Sequence, residues 1–240
     1  MKIAMLTYPY WGHIGYLIRL GNELQSENEV IIFCGQRYKH EVEREGILFG
    51  NYSVECEEMF LKIKGVSDSE TGIDDLFSYY DYIFAIADKM VKNYPHFDSE
   101  NIDLIIYDSN CFWGKIIAAK LGIPSVCVVS TVAINQSMVE SFPDAFIKYF
   151  NVECDCGIDE HNLNKALRLI SRNLRVKYPA LSDFSVLSTD QGTAEININL
   201  SSKEIQYGIE CIKDKKYLFT GPFISEEQLK GTSKYIKRNK

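Results

Sequence analysis

Residues Lys2–Leu24, KIAMLTYPYWGHIGYLIRLGNEL, decide how this chain is read. Ile3, Ala4, Met5 and Leu6 form an apolar run bounded by Pro9 and Gly12, the mark of a buried, parallel strand. From His13 the period changes. Ile14, Leu17, Ile18, Leu20, Gly21 and Leu24 recur at three- and four-residue spacing, an amphipathic helix. The chain therefore opens as strand, tight turn and helix, with a histidine where the turn becomes the helix. In open α/β sheets, ligands bind beyond the carboxyl ends of the strands, where the strand order reverses, and the first strand borders that crevice. A helix N-terminus disfavours imidazolium, so His13 is expected to be neutral near pH 7 and able to accept a proton. Alone, such a histidine is more often a turn-packing residue. The catalytic reading needs a partner.

Working outward, Val30–Phe33 reads as a second strand ending at Cys34-Gly35, and a helix with Tyr38, Val42 and Glu45 stops at Gly46. Ile47-Leu48-Phe49 begins a third strand. This βαβαβ order implies a parallel sheet with right-handed crossovers. Ser53–Thr71 lacks a clear period and is rich in Glu, Ser, Asp and Lys, so a long loop above the sheet is expected. A helix follows over Gly72–Asn93, with Ile73, Leu76, Phe77, Tyr80, Ile83, Phe84, Ala87, Met90 and Val91 on one face and Tyr79 and Tyr82 beside it. That stripe reads as core whose far end can wall an apolar pocket.

Ile102–Tyr107 is the fourth strand, ending at Asp108-Ser109. A helix over Phe112–Leu121 is stopped by Gly122, and Pro124 opens a fifth strand, Val126–Val129, ending at Ser130-Thr131. Helix is expected again over 160–178 on Leu163, Leu167, Ile170 and Leu174. Ile196–Leu200 and Tyr217–Thr220 are late strands, the second broken by Gly221-Pro222. The fold class is α/β: a single Rossmann-like parallel sheet flanked by helices over residues 1–224. Residues 225–240, SEEQLKGTSKYIKRNK, read as a polar linker or tail.

If the first five strands are ordered 3-2-1-4-5, strands one and four are neighbours at the switch point. They deliver His13 and Asp108 to the same edge, across strands ~4.8 Å apart. An aspartate that accepts from one imidazole nitrogen fixes the tautomer, frees the other nitrogen and stabilises the imidazolium formed in reaction. That is a base with its orienter, suited to taking a proton from a hydroxyl. Asp108 also fits as the N-cap of the next helix. The two roles are compatible.

Composition narrows the classes. With 46% hydrophobic and 25% charged residues the chain can bury an ordinary core, and a net charge of −7 argues against a nucleic-acid partner. No apolar stretch approaches the ~20 residues of a membrane span, and the N-terminus lacks a signal peptide's apolar centre. Seven scattered cysteines fit reduced thiols and a cytoplasmic location. Cys154 and Cys156, with His161 downstream, lack a second ligand pair, so no metal is expected. There is no GxGxxG, no GxxxxGK[ST] and no GxSxG, and strand two ends in Cys34-Gly35-Gln36 without a ribose-binding acid.

TYPYWGHIGYLIRLGNEL resembles the T-x-P-x-x-G-H-x-x-P-x-x-x-L-x-x-x-L opening of UDP-sugar-dependent glycosyltransferases of GT-B fold, particularly the macrolide and antibiotic type. DLIIYDSNCFWGKIIAAKLGIPSV is similar to their D-L-I-x-Y-D-x-x-x-x-W-G-x-x-x-A-x-x-L-x-I-P, and INLSSKEIQ and YLFTGPFI resemble the close of their N-terminal domain. The resemblance implies the acceptor-binding N-terminal half of an inverting transferase. By it, His13 deprotonates an acceptor hydroxyl, Asp108 is its partner, and the hydroxyl displaces UDP from a UDP-sugar. No metal and no tightly bound cofactor are implied. Tyr10, Trp11, Gly12 and Phe112 would face the acceptor, and Thr131 would touch the donor sugar.

Two departures stand out. Tyr16 occupies the place of the family's proline, so the helix start is open to a different setting. No histidine follows His161, so the family's nucleotide-binding HxG motif and donor domain are not expected within these residues, and the chain alone is expected to be inactive. The implied partners are an apolar small-molecule acceptor and a donor-domain chain, or self-association through the face that would meet that domain. A second reading is a non-catalytic helper subunit that pairs with a complete transferase or holds an apolar molecule. A third is another small α/β enzyme using the histidine and aspartate alone.

Overall fold

The computed structural model describes residues 1–67, 73–92, 100–134, 138, 141–142, 160–181, 194–206, 208–212 and 217–221. Their strands are β1 (Lys2–Leu6), β2 (Glu29–Cys34), β3 (Leu48–Asn51), β4 (Leu104–Asp108), β5 (Ser125–Val129), β6 (Ile196–Asn199) and β7 (Tyr217–Phe219). The helices are α1 (Trp11–Leu24), α2 (Lys39–Arg44), α3 (Val54–Ser67), α4 (Ile73–Lys92), α5 (Trp113–Leu121) and α6 (Glu160–Lys177). The strands form one sheet in the order β3-β2-β1-β4-β5-β6-β7. Every neighbouring pair is parallel. The expected 3-2-1-4-5 order holds, and the two late strands extend it at the β5 edge.

The apolar runs are long because both faces of the sheet are covered. Ala4, Leu6, Phe33, Ile105, Tyr107, Cys127 and Val129 face one cluster, with Phe60 of α3, Ile83 of α4, Trp113 of α5 and Leu167 of α6. Ile3, Met5, Ile32, Ile106 and Val128 face the other, with Ile14, Leu17 and Ile18 of α1 and Val42 of α2. The alternation along β1 is that of a strand sandwiched between two helical layers. Gly114 sets the approach of α5 to β4: a Cβ there would lie 2.6 Å from Tyr107 Cβ.

One expectation fails. Ser53–Thr71 is not a long loop, because Val54–Ser67 is the helix α3. Ser53 Oγ accepts from the Cys56 N–H, a cap at the standard three-residue offset, and Glu55 and Glu57 lie in the first turn where the helix dipole favours acids. Only Cys56 and Phe60 of its resolved face are deeply buried, so the apolar period is too sparse to stand out. Tertiary contacts complete it: Glu55 pairs with Lys89 of α4, and Glu57 Oε1 accepts from the Gln36 N–H at 2.8 Å. The CxC pair, the side chains of Ile73, Leu76, Phe77, Tyr79 and Leu163, and the 225–240 tail lie outside the described residues.

Candidate active site

The switch point lies between β1 and β4, paired in register from Ile3↔Leu104 to Leu6↔Tyr107. Beyond Leu6 the chain crosses the sheet's carboxyl edge through Thr7–Tyr10 and enters α1 at Trp11, two residues before His13. Tyr10 caps that helix with backbone alone: its carbonyl accepts from the His13 N–H at 2.9 Å and the Ile14 N–H at 3.0 Å, and no side chain caps or acid stands in the first turn. Tyr16 lies in the second turn of that helix.

Asp108, the last residue of β4, lies 2.7 Å from His13 Nδ1 through Oδ2. A carboxylate only accepts, so Nδ1–H donates and Nε2 is left as the basic nitrogen of the ring. His13 keeps 23% of its side chain accessible, whereas Asp108 keeps none. The buried carboxylate is held by three donors: Nδ1–H of His13 and the Tyr16 hydroxyl on Oδ2, and the Asn110 N–H on Oδ1 at 2.8 Å. A buried charge persists when it is paired and hydrogen-bonded in this way. The N-cap role does not materialise, since α5 begins at Trp113 with no side-chain cap and Asp108 instead closes a turn onto Asn110.

The electrostatics also differ from the expectation of a depressed imidazole. Burial lowers the His13 pKa, but the hydrogen bond and the charge of Asp108 together outweigh it, and the net shift is upward. The carboxylate in direct contact wins over burial. Tyr16 moves well above its ordinary value, first by burial and then by the charge of Asp108, which keeps its hydroxyl a donor.

The other anticipated residues divide. Trp11 is 56% exposed and stacks on Tyr38 with ring centroids 6.3 Å apart. Gly12 is exposed, with open space where a Cβ would stand. Tyr10 is half-buried and stacks on Tyr8 at 5.4 Å. Phe112 is buried at 2% exposure, edge-on to Trp113, and belongs to the core. Thr131 is exposed beyond β5, in a loop clamped by Gln206, whose amide bonds both the N–H and the carbonyl of Ala133 at 2.9 Å.

Three residues at the site escaped the sequence reading. Tyr8 meets the His13 ring edge-on at 5.4 Å. Arg37 bonds the Pro9 carbonyl and lies over the Tyr10 and Tyr38 rings, tying the β1–α1 loop to the turn after β2. Tyr16 joins Asp108. Its signal was available: three residues beyond His13 on a helix is the same face.

The fold, one parallel seven-stranded sheet flanked by helices, matches the α/β halves of GT-B glycosyltransferases. No protein-family model matches the sequence. Among curated proteins the chain is similar to the uncharacterized UDP-glucosyltransferase YojK of Bacillus subtilis (strain 168), 24% identical over 228 residues, 94% of this chain and 53% of that one. The structure is similar to the calicheamicin glycosyltransferase with a TM-score of 0.68 and 17% identity, covering 94% of this chain and 54% of the other. It is similar to the glycosyltransferase of kitacinnamycin with a TM-score of 0.66 and 16% identity, covering 94% and 52%. The chain spans about half the length of each of these three proteins. Among the described residues no helix is long and apolar enough to cross a membrane.

Proposed function

We propose that this chain is the acceptor-binding half of an inverting, UDP-sugar-dependent glycosyltransferase of the cytoplasm. The observation that supports it most is the His13–Asp108 contact of 2.7 Å at the sheet's switch point, with His13 still open to solvent. The UDP-glucosyltransferase YojK, similar over 94% of this chain, supports the choice of donor.

In the proposed reaction His13 Nε2 takes the proton of an acceptor hydroxyl as its oxygen attacks the anomeric carbon. The bond between that carbon and the UDP oxygen breaks, its electron pair leaves with UDP, and the configuration inverts. Asp108, accepting from Nδ1–H, stabilises the imidazolium. Tyr10, Trp11 and Gly12 lie on the acceptor side, and an apolar, hydroxylated acceptor suits an exposed indole beside stacked rings. Thr131, exposed beyond β5, would contact the donor sugar, while UDP would be held by a donor-binding domain.

Acceptor binding has a built-in reporter. Of the two tryptophans, Trp113 is fully buried and Trp11 is exposed. Titration with aromatic hydroxylated acceptors is expected to quench the fluorescence, and Trp11→Phe to remove the change. Saturable binding that leaves Trp11 unaffected would move the acceptor site elsewhere.

A further inference from the structure

The carboxylate oxygen that orients His13 is shared. Asp108 Oδ2 accepts from the imidazole Nδ1–H and from the Tyr16 hydroxyl, two groups one helical turn apart on α1. Asp108 Oδ1 is separately anchored by the Asn110 N–H. We infer that Tyr16 is a positioning residue of the pair, whose hydroxyl shares Asp108 Oδ2 with the imidazole and limits how strongly the carboxylate draws a proton onto His13. This rests on the reading of His13 as base.

The physical reason is competition for one acceptor atom. A charge-assisted hydrogen bond from a hydroxyl withdraws charge from the oxygen it touches. What remains for the imidazolium is weaker than a carboxylate facing His13 alone would supply. The balance suits a base, which must be deprotonated before the reaction yet gain stability once protonated. Other groups near the pair do not replace it. Tyr8 meets the imidazole through a ring edge, burial first of all keeps Tyr52 and Cys111 protonated, and Cys127 is fully buried in the core. The Asn110 N–H touches the opposite oxygen, so the carboxylate keeps its place when the hydroxyl is removed.

The test is proton NMR titration of the histidine Cε1 protons in the 240-residue chain. His13→Ala assigns the resonance among the four histidines. Tyr16→Phe is expected to shift the His13 midpoint upward, because Asp108 then serves the imidazole alone. Replacing Tyr16 with 3-fluorotyrosine, a stronger donor of the same shape, is expected to shift it downward, and it keeps the test open if the phenylalanine variant does not fold. Midpoints unchanged in either folded variant, or shifted in the reverse direction, would overturn the inference. Asp108→Asn is the independent check on the pair: it is expected to lower the midpoint. An unchanged midpoint in that variant would contradict the base assignment itself, whatever Tyr16 does.

Discussion

Asp108 is a carboxylate with no exposed surface, and each of its two oxygens is engaged. Asp108→Ala would leave the Tyr16 hydroxyl and His13 Nδ1–H without their acceptor. A cost of about 1–3 kcal/mol is expected for such a loss, read as a lowered urea midpoint near pH 7. The pair also sets a pH dependence. His13 has a raised pKa in the folded chain, against an ordinary value of 6.5. Its stabilising contribution is therefore fully present below the unfolded value and disappears as pH rises through the higher folded value. Urea unfolding across that window, with His13→Ala as reference, is expected to show the difference shrinking as pH increases. A constant difference would mean that the contact is not an ion pair when His13 is protonated. The contact between His13 and Asp108 was legible because His13 opens the helix that follows β1 and Asp108 ends the neighbouring β4. Tyr16 was legible only in part: the helix period puts it on the face of His13, but its contact with Asp108 depends on how closely α1 approaches the end of β4.

At the scale of elements, α3 shows where pattern reading runs out. Its apolar face is sparse, and its clearest sign is a start signal, Ser53 followed by Glu55 and Glu57. Ser53→Ala is expected to cost about 1 kcal/mol through loss of the cap, seen as a lower thermal midpoint. Helix α5, expected over Phe112–Leu121 and observed over Trp113–Leu121, depends on a close approach. Gly114 lets it sit against Tyr107, one residue from Asp108, and Gly114→Ala is expected to destabilise by about 1–3 kcal/mol through overpacking. If that variant matched the parent in stability, the close approach of α5 to β4 would not be a constraint. The strands, by contrast, were easy to place. Continuous apolar runs closed by Gly, Pro or Asp leave few alternatives. Phe112, expected to face the acceptor, is buried at the N-cap position of α5, because nothing in the local sequence tells a loop residue over the site from one turned into the core.

For the whole molecule, the order β3-β2-β1-β4-β5-β6-β7 places His13, Asp108 and Thr131 at the carboxyl ends of β1, β4 and β5. The similar proteins are about twice as long as this chain. The proposed donor site belongs to the remainder, so calorimetric titration of the 240-residue chain with UDP or UDP-glucose is expected to release no binding heat. Clear heat would mean that the chain builds a nucleotide site of its own. Joining the chain to the donor-binding half of a UDP-glucosyltransferase is then expected to give sugar transfer.

The most direct measurement of the central claim is the rate of sugar transfer by that joined protein, with His13 intact and with His13→Ala. A base of this kind contributes roughly 10²–10⁴-fold, so a loss of that size in kcat, with acceptor binding at Trp11 retained, is the expected result. Transfer by His13→Ala at the parent rate would contradict the account.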